Sequence, residues 1–209
     1  MHAGALETQN AKLRRQVGAL ERQALARQSL QNTVRTLERL GRLPWTDGIP
    51  TVVAQVTALS PSDFVATVQL DKGSTQGVAV GMPVVGGAGL VGQVIEVWSS
   101  GCTVRLLTDV HSSVGVRFGP GEDLALVQGS GLGRDVAVNL VAPGVQLSTG
   151  EVLTTSGLQH AEFPANIPVA RVRSFSSTPS ATQETVTAAP LADLGVLTYV
   201  DVLQWRPSP

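Results

Sequence analysis

In the stretch Phe64-Val-Ala-Thr-Val-Gln-Leu-Asp71, the residues Phe64, Ala66, Val68 and Leu70 fall on one parity and Val65, Thr67, Gln69 and Asp71 on the other. A period of two places the first set on the buried face of a strand and the second on its solvated face. Asp71-Lys72-Gly73-Ser74 then ends the run with turn-forming residues. Outward from this strand, similar short runs recur near 51–59, 83–86, 91–97, 103–107, 113–118, 124–128, 136–141, 152–155, 168–175, 184–189 and 199–205, separated by Gly, Pro, Asp or Ser. About twelve short strands without a second long helix predict two small barrels or sandwiches.

Composition agrees with that pattern. The 209 residues are 43% hydrophobic, enough to bury a core, so a disordered chain is excluded for most of the length. With 22 Gly, 12 Pro and only 4% aromatic residues, the apolar content is mostly Ala, Val and Leu, which suits small turn-rich β domains. The polar stretch Ser174 to Thr185 reads as an exposed hairpin loop.

The N-terminal part differs. From about Glu7 to Leu40 there is no Pro and only Gly18 interrupts a run rich in Ala, Leu, Gln, Arg and Glu. Leu13, Val17, Leu20 and Ala24, then Leu30, Val34 and Leu37 after a phase slip near Arg27, form a heptad seam. So narrow a seam suits a two-stranded coiled coil; a lone helix packed on its own body is the other reading. Some 34 residues at about 1.5 Å each make a rod of roughly 50 Å. Gly41, Pro44, Asp47-Gly48 and Pro50 end it, giving a coiled-coil helix over 1–42 and a linker over 43–50.

The formal net charge of −1 conceals an asymmetry. Residues 1–42 hold eight bases and three acids, a net +5, and the remainder seven bases and thirteen acids, a net −6. A basic arm on an acidic body fits a nucleic-acid arm, a segment lying near anionic lipid, or a solvated helix face. Cys102 alone excludes an internal disulfide and reads as a small buried hydrophobe. No run of about 18 apolar residues is present to cross a membrane as a helix. The chain is then either soluble as it stands or an excised fragment, for which Met1-His2 would be an expression remnant.

Several chemical motifs fail on context. Gly87-Ala-Gly89-Leu-Val-Gly92 matches a dinucleotide fingerprint, but the β-branched run Gln93-Val-Ile-Glu-Val-Trp98 follows where a helix must start, so these glycines read as a hairpin turn. Gly129-Ser-Gly-Leu-Gly133 lacks a following Lys-Ser/Thr and reads as a turn. A Ser156, His111, Asp109 triad lacks the Gly-x-Ser-x-Gly elbow, and on a strand Asp109 and His111 would share a face without facing a serine. Asp109 is therefore assigned to turn capping. Histidines at 2, 111 and 160, with no carboxylate pair at ligand spacing, define no metal site, and Glu122-Asp123 reads as a solvated loop tip.

In order, the strings Leu70-Asp-Lys-Gly-Ser74, Gly77-Val-Ala-Val-Gly-Met-Pro-Val-Val85, Gly89-Leu-Val-Gly-Gln-Val94, Leu106-Leu-Thr-Asp109, Val114-Gly-Val-Arg117, Gly150-Glu-Val-Leu-Thr-Thr-Ser-Gly157, Phe163-Pro-Ala-Asn-Ile-Pro-Val169 and Pro190-Leu-Ala-Asp-Leu194 resemble the MreC family of rod shape-determining proteins. The resemblance spans nearly the whole chain. It implies two six-stranded barrels whose topology is similar to that of trypsin-like proteases without their catalytic residues. The first would comprise 51–113 and 185–206, with the second, 114–184, inserted in it. Turn roles are implied for Asp71, Lys72, Gly73, Gly77, Gly81, Gly89, Gly92, Asp109, Ser156, Gly157, Pro164 and Pro168. Asn166 and Ala170 stand where the family usually has Gly, and Glu151 where it has Asp; Asn tolerates a left-handed backbone.

The implied function is a non-catalytic scaffold of cell-wall elongation without cofactor or metal. It would be anchored in the inner membrane by a helix of about 20 residues before Met1, with its body in the periplasm and the +5 arm near the membrane. The implied partners are a second copy in a dimer or filament, MreD, the elongation-specific penicillin-binding transpeptidase and other rod-complex proteins, and not nucleic acid. Exposed β edges and the coiled-coil seam are the expected association surfaces. A secreted serine hydrolase on two barrels and a generic coiled-coil adaptor are the rival readings.

Overall fold

The structure, a computed structural model, describes residues 48–60, 65–140, 147–158, 162–176 and 185–205, together with Arg14, Val17, Gly18 and Thr33. Those four have α-helical backbone, and Val17 is exposed. The other seam positions, Leu13, Leu20, Ala24, Leu30, Val34 and Leu37, lie outside the described residues, as do Phe64, His2 and His160. The expected long helix is thus not traced. Residues 1–41 and 42–209 are separate compact units.

Among the described residues the second unit has twelve strands: β1 (Thr51–Leu59), β2 (Thr67–Leu70), β3 (Pro83–Gly86), β4 (Gly89–Trp98), β5 (Gly101–Leu106), β6 (Ser113–Phe118), β7 (Asp123–Gln128), β8 (Val136–Leu140), β9 (Val152–Thr155), β10 (Pro168–Ser176), β11 (Thr185–Pro190) and β12 (Tyr199–Leu203). They close into two six-stranded barrels, β1-β12-β3-β4-β5-β2 and β10-β11-β8-β7-β6-β9. Each neighbouring pair is antiparallel.

Alternation fills the narrow interiors with small apolar side chains. In the first barrel Val94, Val104 and Val68 are aligned across β4, β5 and β2, and all are buried. In the second, Val114, Val127, Val138 and Val186 form a belt across β6, β7, β8 and β11. Scarce aromatics follow from this geometry, because a six-stranded barrel has little room for rings.

Cys102 belongs to the first core: it is fully buried opposite Leu70. Burial, with a smaller contribution from the Asp71 carboxylate, pushes its thiol up to about 11. A thiolate is the reactive form, so the native chain is expected to resist Ellman's reagent at mildly alkaline pH and to react fully once denatured. Rapid labelling of the native state would contradict this placement.

The strand 185–190 corrects the sequence-derived boundary. The sequence reading places residues from 185 onward in the first barrel, whereas β11 pairs with β10 from Ala170↔Pro190 to Ser176↔Thr185 and with β8 on its other side. The physical reason is the hairpin itself, since consecutive antiparallel strands joined by a short connection pair with each other. Polar Ser174–Ser176 are strand and not loop. The chain returns to the first barrel only at β12, so β6 to β11 lie between β5 and β12 in sequence.

Gly89 sets how closely the two barrels meet. It opens β4 at φ 153°, and a Cβ there would lie 2.3 Å from the carbonyl oxygen of Pro168, at the start of β10. No other residue type permits that approach without displacing a barrel.

Candidate functional site

A cleft of about 510 Å³ opens between the barrels. Gln93 of β4 and Arg105 of β5, which are cross-strand neighbours, form the first-barrel wall. His111 and Ser112 come from the crossover between β5 and β6, and Ser113, Gly115, Ser156, Leu158, Glu162 and Phe163 complete the second-barrel side.

Asp109 organises the crossover. Its carboxylate is 2% exposed, and Oδ1 accepts the His111 N–H at 2.9 Å while Oδ2 accepts the Ala66 N–H at 2.8 Å. Its backbone carbonyl accepts the Ser112 N–H at 2.8 Å, so Asp109 caps the turn, as its sequence context implied. Asp109 also ties the crossover to the segment before β2. The Gly129–Gly133 turn packs behind it, with Gly131 N–H donating to the Thr108 carbonyl at 2.8 Å.

Asp109 and His111 lie in a turn and not on a strand, so they do not share a face: Asp109 is buried and His111 is exposed. His111 Nδ1 is 3.2 Å from Asp109 Oδ1, and His111 lines the same cleft as Ser156. No hydrogen bond joins Ser156 to His111. The Ser156 N–H is spent on the Gly115 carbonyl at 3.0 Å.

Most of the motif residues sit in turns or strand junctions. Asp71 is held on both oxygens: its Oδ1 accepts the Gln55 N–H at 2.8 Å, and Lys72 Nζ approaches Oδ2 to 2.7 Å. Burial pulls its pKa upward, but Lys72 and the Gln55 N–H outweigh that and hold it below the ordinary carboxylate value. Gly77, Gly81 and Gly157 all have positive φ. Gly73 and Gly92 instead approach neighbouring backbone, at Trp98 and Arg105 respectively. Of the Gly87–Gly92 glycines, Gly87 lies in the β3–β4 hairpin turn, whereas Gly89 and Gly92 are strand residues of β4, paired with Gly86 and Val84, a correction to the turn expected for all of them. Asn166 has φ 70°, the left-handed conformation its substitution for Gly implied, and its Oδ1 accepts from Arg117 Nη2.

Thr155 was not singled out from the sequence. It is fully buried and secures the turn that carries Glu162 and Phe163: its Oγ1 donates to the Pro164 carbonyl and accepts the Ile167 N–H at 2.9 Å, and its backbone bonds Asn166 and Ile167. Pro164 and Pro168 bracket its last part, 165–167. Among the described residues no cluster of three metal-ligating side chains occurs, and no helix is long and apolar enough to cross a membrane.

The geometry thus presents a cleft lined by both barrels. The family profile described as rod shape-determining protein MreC, barrel core, matches residues 56–204, which cover both barrels. The cell shape-determining protein MreC of Haemophilus influenzae is 33% identical over 153 residues, 73% of this chain and 43% of that protein. The chain spans about half the length of the curated relatives it matches. The crystal structure of MreC from Pseudomonas aeruginosa is 32% identical over 74% of this chain and 99% of that one, with a TM-score of 0.69. A chain from a complex between a penicillin-binding protein and MreC from Helicobacter pylori shares the fold at 16% identity, with a TM-score of 0.57 over 74% of this chain and 98% of that one. With a profile match running from within β1 to the end of β12, the chain belongs to the MreC family.

Proposed function

We propose that this chain is a non-catalytic scaffold of the cell-wall elongation complex, which associates with itself and holds peptidoglycan-synthesis proteins to maintain rod shape. The match across both barrels, residues 56–204, carries the reading. The Helicobacter complex of MreC with a penicillin-binding protein supports the elongation-specific penicillin-binding transpeptidase as a partner; MreD and other rod-complex proteins follow as further partners. In the full-length protein an apolar helix before the arm anchors it in the inner membrane, and the body stands in the periplasm. The +5 arm then lies beside anionic headgroups, where such charge favours contact.

Self-association is assigned to a coiled coil over 1–42, joined to the body by a linker over 43–50. Its seam is Leu13, Val17, Leu20, Ala24, Leu30, Val34 and Leu37. Charged residues at seam positions abolish knobs-into-holes packing. The double substitution Leu20→Glu, Leu37→Glu is therefore expected to halve the mass measured by light scattering, from a dimer to a monomer of 21.8 kDa. An unchanged mass would remove the seam from the account.

A further inference from the structure

Both sheets close, yet one seam opens into the cleft. The β6–β9 register pairs Arg117 with Thr154 and Val116 with Thr155; continued, it would set Gly115 opposite Ser156 and Ser113 opposite Leu158. The ladder stops halfway through the first of these pairs. The Ser156 N–H donates to the Gly115 carbonyl at 3.0 Å, and the Gly115 N–H makes no return bond. In an antiparallel strand the N–H and C=O of one residue point to the same side, and residues two apart repeat that direction. The Gly115 N–H and both backbone groups of Ser113 therefore face away from β7, towards the place β9 has left. Ser113, Gly115, Ser156 and Leu158 all line the cleft.

An unpaired donor and acceptor row at a two-residue repeat is complementary to the backbone of an extended peptide. Charge narrows the choice. The Arg105 guanidinium lies on the facing wall and approaches Asp109 only to 3.9 Å, without a hydrogen bond, while the carboxylate of the lining, Glu162, belongs to the second-barrel side. The Arg105 donors remain open to a carboxylate. Leu158, 55% exposed, supplies apolar surface beside it.

We propose that this opening is a docking slot for an extended segment of a partner protein, added as a strand to β6 at Ser113–Gly115 and carrying an acidic side chain towards Arg105. The slot stands on cleft geometry alone, whichever protein supplies the segment.

The test is a titration of the isotope-labelled 209-residue chain with the blocked pentapeptide Thr-Asp-Val-Asp-Thr, read on backbone amide shifts. Saturable shifts at Ser113, Gly115 and Leu158 are expected below about 1 mM peptide. Methylating the central Val nitrogen of the peptide, or replacing both Asp by Lys, is expected to weaken binding at least about fivefold. Ser113→Pro removes the slot-side N–H and leaves the β7 side untouched, and should weaken it as much; should that variant not fold, the N-methylated peptide carries the same comparison on the unaltered protein. Absence of saturable shifts, shifts elsewhere, or equal binding of the N-methylated peptide would overturn the slot. Concentration-dependent shifts of the same amides without peptide would assign it to a second copy of this chain, and overturn it as a peptide site.

Discussion

Asp201→Asn is expected to stabilise the protein near neutral pH by roughly 2–3 kcal/mol, raising its melting temperature by about 5–10 °C. Asp201 lies on β12 between Val53 of β1 and Val85 of β3, 1% exposed, and its Oδ1 has no hydrogen-bond partner. Burial pushes its carboxyl from the ordinary 3.8 up to about 6. Below 3.8 the acid is neutral in both folded and unfolded chains and costs nothing. Between 3.8 and about 6 the folded state holds the proton more tightly, so unfolding releases it and stability falls as pH rises. Above that window the full cost of a buried, unpaired charge is present. Asn imitates the neutral acid, so its advantage should shrink steadily as pH drops from 6 towards 4. Melting curves of both proteins across that range check the sign, and an advantage independent of pH would contradict it.

Thr155→Val should act in the opposite direction, costing about 3 kcal/mol. The substitution keeps the shape and the burial but removes the hydroxyl, leaving the Pro164 carbonyl and the Ile167 N–H without that partner inside the second barrel. Thr155→Ser retains the hydroxyl and loses a methyl group, worth about 0.8 kcal/mol. If burial alone mattered, Val would be the milder change. Hydrogen bonding makes Ser the milder one, and urea unfolding of the two variants decides between them. Because Thr155 fastens the turn bearing Glu162 and Phe163, the Val variant should also loosen the cleft wall.

The twelve strands were legible because alternation over four or more residues, punctuated by Gly, Pro and Asp, is a local signal that barrel closure does not override. Several starts and ends coincide with the structure, as at Thr51–Leu59 and Ser113–Phe118. The barrel membership of Thr185–Pro190 was not legible, since both barrels have the same composition and only pairing separates them. Asp201 illustrates a different limit. Its place in Tyr-Val-Asp-Val-Leu gives it the outward parity of the strand, which predicts solvent, yet tertiary packing covers that face.

The cleft was legible only in fragments. Asp109 announced a capped turn through its local sequence, and Asn166 a left-handed backbone through the residue it replaces. That His111 and Ser156 share a cavity depends on how the crossover and the β9 end meet, 45 residues apart in sequence, and no spacing encodes it. The splayed β6–β9 seam was likewise hidden, because open edges were expected generally and barrel closure removes nearly all of them.

The central claim, that this chain works by holding an elongation enzyme and not by catalysis, is tested most directly by binding to the elongation-specific penicillin-binding transpeptidase of the same cell. With the folded 209-residue chain on a sensor surface, the purified transpeptidase ectodomain is expected to bind saturably at about micromolar concentration, as transient assemblies of this kind do. No saturable binding by the folded chain would contradict the account.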